Sequence, residues 1–249
     1  MRIVVVGANG LVGGAVVRAG LAAGLDILGI GRADCDVTRD REAVLRAYRP
    51  DAVIFCAAAT EVDAAGPATR AVNVEAPATW SRHVETWFLS SNFVFDGWGP
   101  HAPEATPRPC NAYAAQKAEA EALVRAAGGH VVRVGWVHGP GGKTFASTLP
   151  GRLQRGDTVR AISDVLVQPT RADDVARALL ALPRGVTHLA GSADTTWYGY
   201  ASALAARLGG QVEPVRLAEF HLGPRPRDAR LAPATLPPWF ECLDERVPR

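Results

Sequence analysis

Tyr113 and Lys117 stand four residues apart in a predicted helix, and their side chains are of the types that exchange protons. Residues at i and i+4 lie on one helix face, so both side chains are expected to point into one cleft. A free phenol has a pKa of ~10, and a neighbouring ammonium lowers it towards the range useful for catalysis. Lys117 is also one of only two lysines among 27 basic residues. Taken alone, the pair also fits a half-buried aromatic beside a solvated lysine.

A glycine-rich turn near the amino terminus predicts a dinucleotide site. Its three glycines follow a β-branched run and precede a helix with the spacing G-x-x-G-x-x-G. Glycine permits a tight turn and close approach of a pyrophosphate, and the helix N-terminus offers free N–H groups to that anion. A plain strand–helix turn is the alternative, but the position in the first βα unit favours dinucleotide binding. The residues predicted to bind the cofactor here are Gly7, Asn9, Gly10, Leu11, Val12 and Gly13.

The residues after the second predicted strand favour NADP(H) over NAD(H). Sites for NAD carry an Asp or Glu about 20 residues after the glycines, whereas Arg32 stands at that place here. A guanidinium can bind a 2′-phosphate through two hydrogen bonds. Asp34 is near enough in sequence to contact a ribose, so NADH is kept as the alternative. Asp36 and Val37 are expected to border the adenine.

These residues must be positioned by strands and helices that alternate along the first half of the chain. Apolar strands alternating with helices predict an α/β fold, a Rossmann-type doubly wound parallel sheet with a small C-terminal substrate-binding lobe. Residues 1–137 are predicted to form the NADP-binding domain. Residues 138–249 are predicted to form mainly the lobe, with some elements returning to the core. Predicted elements that bear on the site are a helix over 38–50 capped by Thr38, a helix over 73–84, a strand over 130–137, and a helix over 111–127.

Composition and charge exclude several classes of protein. The chain of 249 residues is 48% hydrophobic with a net charge of +2, so no nucleic-acid or membrane partner is expected. We find no secretory signal and no apolar stretch of the ~20 residues that span a bilayer. The four cysteines have neither metal-ligand nor disulfide spacing. The sequence therefore predicts a cytoplasmic protein with reduced thiols and no metal site, and it is compatible with a homodimer.

Motifs along nearly the whole chain resemble a known family. The glycine turn together with Tyr-x-x-x-Lys is similar to the extended short-chain dehydrogenase/reductase superfamily. Within it, the closer resemblance is to the dTDP-4-dehydrorhamnose reductase family, whose motifs occur here in the same order. The segments that carry the resemblance include "DVTRDREAVLRAYRPDAVIFCAAATEVDAA", "VNVEAPA", "SSNFVFDG", "NAYAAQKAEAE", "VVRVGWVHGPGGKTF", "QPTRADDVARALLAL" and "GPRPRDARL".

The resemblance implies a catalytic trio. Ser91 matches the hydroxyl residue of the family's Ser-Thr-Asp-Tyr-Val-Phe-Asp-Gly motif, and it is expected to orient the substrate carbonyl. Tyr113 would donate a proton, and Lys117 would tune Tyr113 and hold the nicotinamide ribose. Ser90 has the same chemistry, but the pleat of a strand sends it to the opposite face.

The resemblance also implies binding residues. Cofactor contacts are expected from Ala57, Ala58, Ala59 and Thr60, and substrate contacts from Ser91, Phe93, Val94, Trp136, Phe145 and Arg225. This sequence departs from the family pattern where Asn92-Phe93 replaces Asp-Tyr and where Ala64 replaces a frequent lysine. These departures leave the identity of the sugar open.

The implied activity is NADPH-dependent reduction of a nucleotide-linked 4-keto-6-deoxysugar, with dTDP as the expected nucleotide. Epimerases and dehydratases of the same superfamily share the tyrosine and lysine and are one alternative. A non-catalytic, NADP-binding regulatory subunit is another. Net consumption of NADPH separates a reductase from both.

Overall fold

The structure is a computed structural model that describes residues 1–140 and 144–243. Residues 141–143 and 244–249 of the predicted lobe lie outside the described residues. The strands are β1 (Arg2–Val6), β2 (Asp26–Ile30), β3 (Ala52–Phe55), β4 (Glu85–Ser91), β5 (His130–Val134), β6 (Trp136–His138), β7 (Thr158–Ile162), β8 (Leu166–Val167), β9 (Pro169–Arg171), β10 (Val186–Leu189), β11 (Thr195–Thr196) and β12 (Gln211–Val215).

The α-helices lie between these strands, and short 3₁₀ turns occupy several of the connections. A π-helical turn, Ala71–Glu75, joins α3 to α4 without a break, so the helical stretch begins before the predicted residue 73. The helices are α1 (Leu11–Ala22), α2 (Arg41–Tyr48), α3 (Pro67–Arg70), α4 (Ala76–Ser81), α5 (Ala112–Ala126), α6 (Phe145–Gln154), α7 (Ala172–Leu179) and α8 (Trp197–Leu208).

Six parallel strands form the main sheet in the order β10-β5-β4-β3-β1-β2. The chain moves from β1 to β2 on one side and returns to β3 on the other, so the strand order reverses between β1 and β3. In open α/β sheets, ligands bind at such a switch point, beyond the carboxyl ends of the strands. The predicted Rossmann-type parallel sheet is confirmed.

Alternate residues of the central strands face two separate cores. Ile3 and Val5 pack with α1 and α7 on one face of the sheet. Val4 and Val6 pack with α4 and α5 on the other face. Because both faces of the sheet are covered, the strands consist of continuous apolar residues rather than of alternating apolar and polar residues.

The second half of the chain builds a smaller layer beside the sheet. Strand β7 pairs in parallel with β12, and helices α6 and α8 bury Leu149, Leu153, Tyr200 and Leu204 against it. Strand β10 pairs with β5 and so belongs to the main sheet, and α7 packs with α1 on one face of that sheet. The division after residue 137 stays a prediction. Within the described residues, no helix combines the length and apolarity required to cross a membrane.

Two predicted boundaries are wrong for local reasons. Helix α2 starts at Arg41 with Asp40 as its N-cap, because the Thr38 hydroxyl donates to Asp36 Oδ1 at 2.6 Å instead of capping the helix. The predicted strand over 130–137 breaks at Gly135 into β5 and β6. A Cβ at Gly135 would lie 3.1 Å from the Gln168 carbonyl oxygen, so the chain passes close to β9 there. Strand β6 then pairs with β9 and leaves the main sheet.

Candidate active site

The glycine turn lies at the switch point of the sheet. Gly7 has a φ of +87°, and a Cβ added to it would lie 2.6 Å from the backbone nitrogen of Ala57, just after β3. A Cβ on Gly13 would lie 2.3 Å from the Gly7 carbonyl oxygen. Side chains at these two positions would force the turn apart, so the close packing of the turn on β3 and α1 depends on glycine.

The residues of this turn fit a dinucleotide phosphate. Helix α1 begins at Leu11, and its N-cap, Gly10, has an extended backbone and no side chain to occupy the helix end. The first N–H groups of a helix have no intrahelical acceptor and lie at the positive end of its dipole. The first turn, Leu11–Gly14, also carries no acidic residue. A pyrophosphate placed here would meet free donors and no opposing charge.

Beyond β2, Arg32 is the group best placed to contact the far end of a dinucleotide. Its side chain is exposed and has no ion-pair or hydrogen-bond partner among residues 1–140 and 144–243. The carboxylate of Asp34 accepts a hydrogen bond from the Gly31 backbone N–H at 2.8 Å. Hydrogen bonds from Thr38 and Arg39 lower the pKa of Asp36 to about 2. Both acids are engaged in the loop itself, whereas Arg32 is available.

A buried amide network fixes the segment after β3. Asn73 Oδ1 accepts from the Ala59 N–H at 2.8 Å, and its Nδ2 donates to Gln116 Oε1, also at 2.8 Å. Gln116 Nε2 in turn donates to the Gly66 carbonyl at 2.7 Å. The network ties the predicted cofactor segment, Ala57–Thr60, to the helix that carries Tyr113. Neither amide was predicted from the sequence, although a lone asparagine in the apolar helical segment "AVNVEAPA" is a usable signal.

A cleft of about 710 Å³ opens between the carboxyl edge of the sheet and the smaller layer. Its lining contains five of the six predicted substrate residues together with Tyr113 and Thr60; the five are Ser91, Phe93, Trp136, Phe145 and Arg225. The sixth residue, Val94, was predicted to contact the substrate, but it does not line the cleft. Its side chain is fully buried in a small core with Phe95, Ala190 and Leu231, because the 3₁₀ turn after β4 points it inward.

Tyr113 and Ser91 meet at the sheet end of the cleft. Asn111 caps α5 by accepting from the Ala114 N–H at 2.8 Å, which fixes the start of the helix beside Tyr113. Ser91 is the last residue of β4, and its hydroxyl accepts a hydrogen bond from the Phe93 backbone N–H at 3.2 Å. Burial raises the pKa of Tyr113 to about 12, and the nearby Ser91 hydroxyl offsets this only in part. The phenol is therefore protonated at neutral pH.

Lys117 is oriented differently from the prediction. Its side chain is 2% exposed, and its Nζ donates to the Leu89 carbonyl at 2.7 Å while lying 3.9 Å from the centre of the Phe88 ring. Burial lowers the pKa of Lys117 to about 7, against an opposing effect of Glu121. The expected lowering of the Tyr113 pKa by Lys117 is wrong for this arrangement, because the ammonium is turned towards β4 and burial dominates the tyrosine.

A buried ion pair lies one helical turn beyond Lys117. Arg133 on β5 donates to both carboxylate oxygens of Glu121, with an Nη2–Oε2 distance of 2.7 Å, and both side chains are under 5% exposed. Ser90 donates to Glu121 Oε1 at 2.6 Å. Ser90 thus faces away from the cleft, as the pleat predicts, and Ser91 is the hydroxyl that reaches it.

Arg225 lines the cleft but is already paired. Its guanidinium donates to both Asp63 oxygens, at 2.8 and 2.7 Å, and this pairing lowers the pKa of Asp63. Asn111 Nδ2 donates to the Pro224 carbonyl at 2.9 Å. These contacts tie the C-terminal segment to Asp63 and to the start of α5, so Arg225 organises one wall of the cleft.

The fold and the site together define the class: a Rossmann-type protein of the extended short-chain dehydrogenase/reductase kind, with a second ligand cleft beside the glycine turn. The family model described as the RmlD substrate binding domain matches residues 1–240. The chain belongs to that family.

Relatives with assigned names align over most of the chain. A probable dTDP-4,6-dihydroxy-2-methyloxan-3-one 4-ketoreductase from Streptomyces antibioticus is 31% identical, covering 100% of this chain and 95% of its own length. A dTDP-4-keto-6-deoxy-D-glucose reductase from Streptomyces niveus is 34% identical over 90% of this chain and 86% of its own. Among solved structures, a dTDP-4-dehydrorhamnose reductase from Bacillus anthracis in complex with NADP superposes with a TM-score of 0.91 at 23% identity, covering 98% of this chain and 97% of that one. The structural match shows the shared fold.

Proposed function

We propose that this chain is an NADPH-dependent reductase that converts a nucleotide-linked 4-keto-6-deoxysugar, carried on dTDP, to the 4-hydroxy sugar. The observation that carries the proposal is the cleft at the carboxyl edge of the sheet, whose lining brings Ser91 and Tyr113 together. The names of the relatives, which are reductases of dTDP-linked keto sugars, support the substrate class. The proposal places the enzyme in the cytoplasm, and a homodimer stays a prediction.

Each residue has a defined task in this reaction. NADPH, when bound along the glycine turn, supplies the hydride. Tyr113 holds its proton at neutral pH and gives it to the carbonyl oxygen as negative charge develops there. Ser91 donates a hydrogen bond that orients the same oxygen. The expectation that Lys117 holds the nicotinamide ribose stays a prediction, since its Nζ donates to the Leu89 carbonyl.

Incubation with a panel of nucleotide-linked 4-keto-6-deoxysugars tests the proposal. We expect loss of the absorbance of reduced nicotinamide, with one NADPH consumed for each sugar reduced and dTDP-linked ketones as the preferred substrates. Product formation without net NADPH consumption would instead identify an epimerase or a dehydratase. NADPH binding without turnover of any sugar would favour a regulatory subunit.

Arg32→Ala is expected to raise KM for NADPH by about 10-fold or more, because charge-assisted hydrogen bonds to the 2′-phosphate contribute ~1.5–3 kcal/mol. The KM for NADH should not change, since NADH lacks that phosphate. Steady-state kinetics with both cofactors measure the difference. Arg46→Ala is the matched control, because Arg46 is an exposed arginine on α2 that pairs with Glu42. Equal increases for the two cofactors would remove Arg32 from the 2′-phosphate site.

A further inference from the structure

The charged residues in the lining of the cleft are all of one sign. Three arginines contribute to it, Arg152, Arg160 and Arg225, and the lining formed by the described residues contains no aspartate or glutamate. A cavity whose charged lining residues are all cations attracts anionic ligands. The cleft is therefore suited to a ligand that carries negative charge in addition to the group that reacts.

The three arginines differ in how far their charge is already neutralised. Arg225 is held by both oxygens of Asp63. Arg160 pairs with Glu219 at 3.4 Å and lies 5.6 Å from the centre of the Phe220 ring. Arg152 is half-buried and has no acidic partner in the part of the chain that the structure describes. Of the three, Arg152 alone carries an uncompensated charge into the cleft.

The position of Arg152 on α6 suits contact with a part of the substrate that is remote from the reacting carbon. Arg152 follows Phe145 by two helical turns on the same face, a rise of about 10 Å along the axis. Phe145 packs against Trp136 and Trp197, with ring centres 6.2 and 5.4 Å apart, and all three rings line the cleft. The sugar must reach Tyr113 at the sheet end. The phosphates that follow the sugar then extend along the smaller layer, where Arg152 lies.

We propose that Arg152 binds the diphosphate of the nucleotide-linked substrate and is the residue that makes the cleft select a charged nucleotide sugar over a free sugar. This inference rests on the proposed function and names the part of the substrate that the residue recognises. A guanidinium presents parallel N–H donors that match two phosphate oxygens, which an ammonium cannot reproduce. Since no neighbouring acid competes for those donors, the full charge is available to the ligand.

Titration calorimetry with dTDP and with thymidine tests the inference without relying on turnover. Arg152→Met keeps the length of the side chain and removes its charge, and we expect it to weaken dTDP binding about 10-fold or more while leaving thymidine binding unchanged. Arg152→Lys should lose part of the affinity, because it keeps the charge without the paired donors. With the full substrate, KM should rise much more than kcat falls.

Arg155→Met is the matched control. Arg155 lies directly after the same helix, pairs with Asp157 at 3.0 Å and does not contribute to the lining. Melting temperatures of both variants separate a structural role from a binding role, because Arg152 also stands in the last turn of α6, where a cation stabilises the helix dipole. The Lys variant keeps that helix contribution and so tests the inference even if the Met variant does not fold.

Three results would overturn the inference: unchanged dTDP affinity in the Arg152 variants, an equal loss of thymidine affinity, or an equal loss of dTDP affinity in the Arg155 variant. If the wild-type chain reduces a nucleotide-linked keto sugar and any of these is found, the proposed function stands and only the role of Arg152 fails. If the wild-type chain neither binds dTDP nor reduces any sugar of the panel, the proposed function fails as well.

Discussion

Tyr113→Phe should lower kcat by about 100-fold or more and leave NADPH binding intact, because general acid catalysis contributes ~10²–10⁴ to such reactions. The substitution removes one oxygen and keeps the ring, which packs edge-on against Phe93 with ring centres 6.4 Å apart. The fold and the cleft should therefore persist. Steady-state rates with the preferred keto sugar, together with NADPH affinity from the quenching of protein fluorescence, measure the two effects separately.

Tyr48→Phe provides the comparison, since Tyr48 is an exposed tyrosine at the end of α2 and the same atom is removed there. Its rate should equal that of the wild type. Near-normal turnover of the Tyr113 variant would exclude this phenol as the proton donor. Loss of NADPH binding would instead assign Tyr113 to the structure of the cofactor site.

Arg133→Met should reduce the free energy of unfolding by about 3–5 kcal/mol, because it leaves a carboxylate in the interior without its cation. Glu121 is 3% exposed, and its nearest remaining polar partner is the Ser90 hydroxyl at 2.6 Å. The substitution also removes a guanidinium that lies 4.8 Å from the centre of the Phe95 ring. Urea denaturation followed by circular dichroism measures the loss.

The double variant Glu121→Leu with Arg133→Met should recover much of that stability, since replacing both members of a buried pair by apolar groups is often neutral. Arg70→Met is the surface control. It breaks an arginine–glutamate pair with Glu119 of the same helix α5, where both side chains are 43% exposed, and exposed pairs contribute only ~0–1 kcal/mol. A loss at Arg133 no larger than the loss at Arg70 would show that the interior tolerates the unpaired carboxylate.

The elements and the cleft-facing hydroxyls were predictable from local patterns. Apolar runs alternating with helical periods predict a parallel sheet, and the carboxyl ends of parallel strands meet at one edge. That rule alone brings the turn at Gly7 and the end of β4 at Ser91 to the same edge of the sheet. The alternation of side chains along a strand also separates Ser91 from Ser90.

Helix boundaries were less predictable, because side chains near a helix end can form hydrogen bonds with several different groups. Thr38 has the residue type of an N-cap, yet its hydroxyl bonds to Asp36, and Asp40 occupies the cap position. The strand break at Gly135 depends on the approach of Gln168, which is more than thirty residues away in sequence. Such competition is invisible in a periodic pattern.

The chemical state of the site depends on contacts between distant segments. The pKa of Tyr113 rises to about 12 because the folded chain buries it, whereas the spacing to Lys117 suggested the opposite direction. Lys117 is turned inward by a carbonyl of β4, Arg225 is neutralised by Asp63, and Arg152 is left without a partner. Residue type and spacing specify which groups can reach a cleft. Desolvation and charge pairing depend on everything that surrounds each group, and those surroundings exist only after the chain has folded.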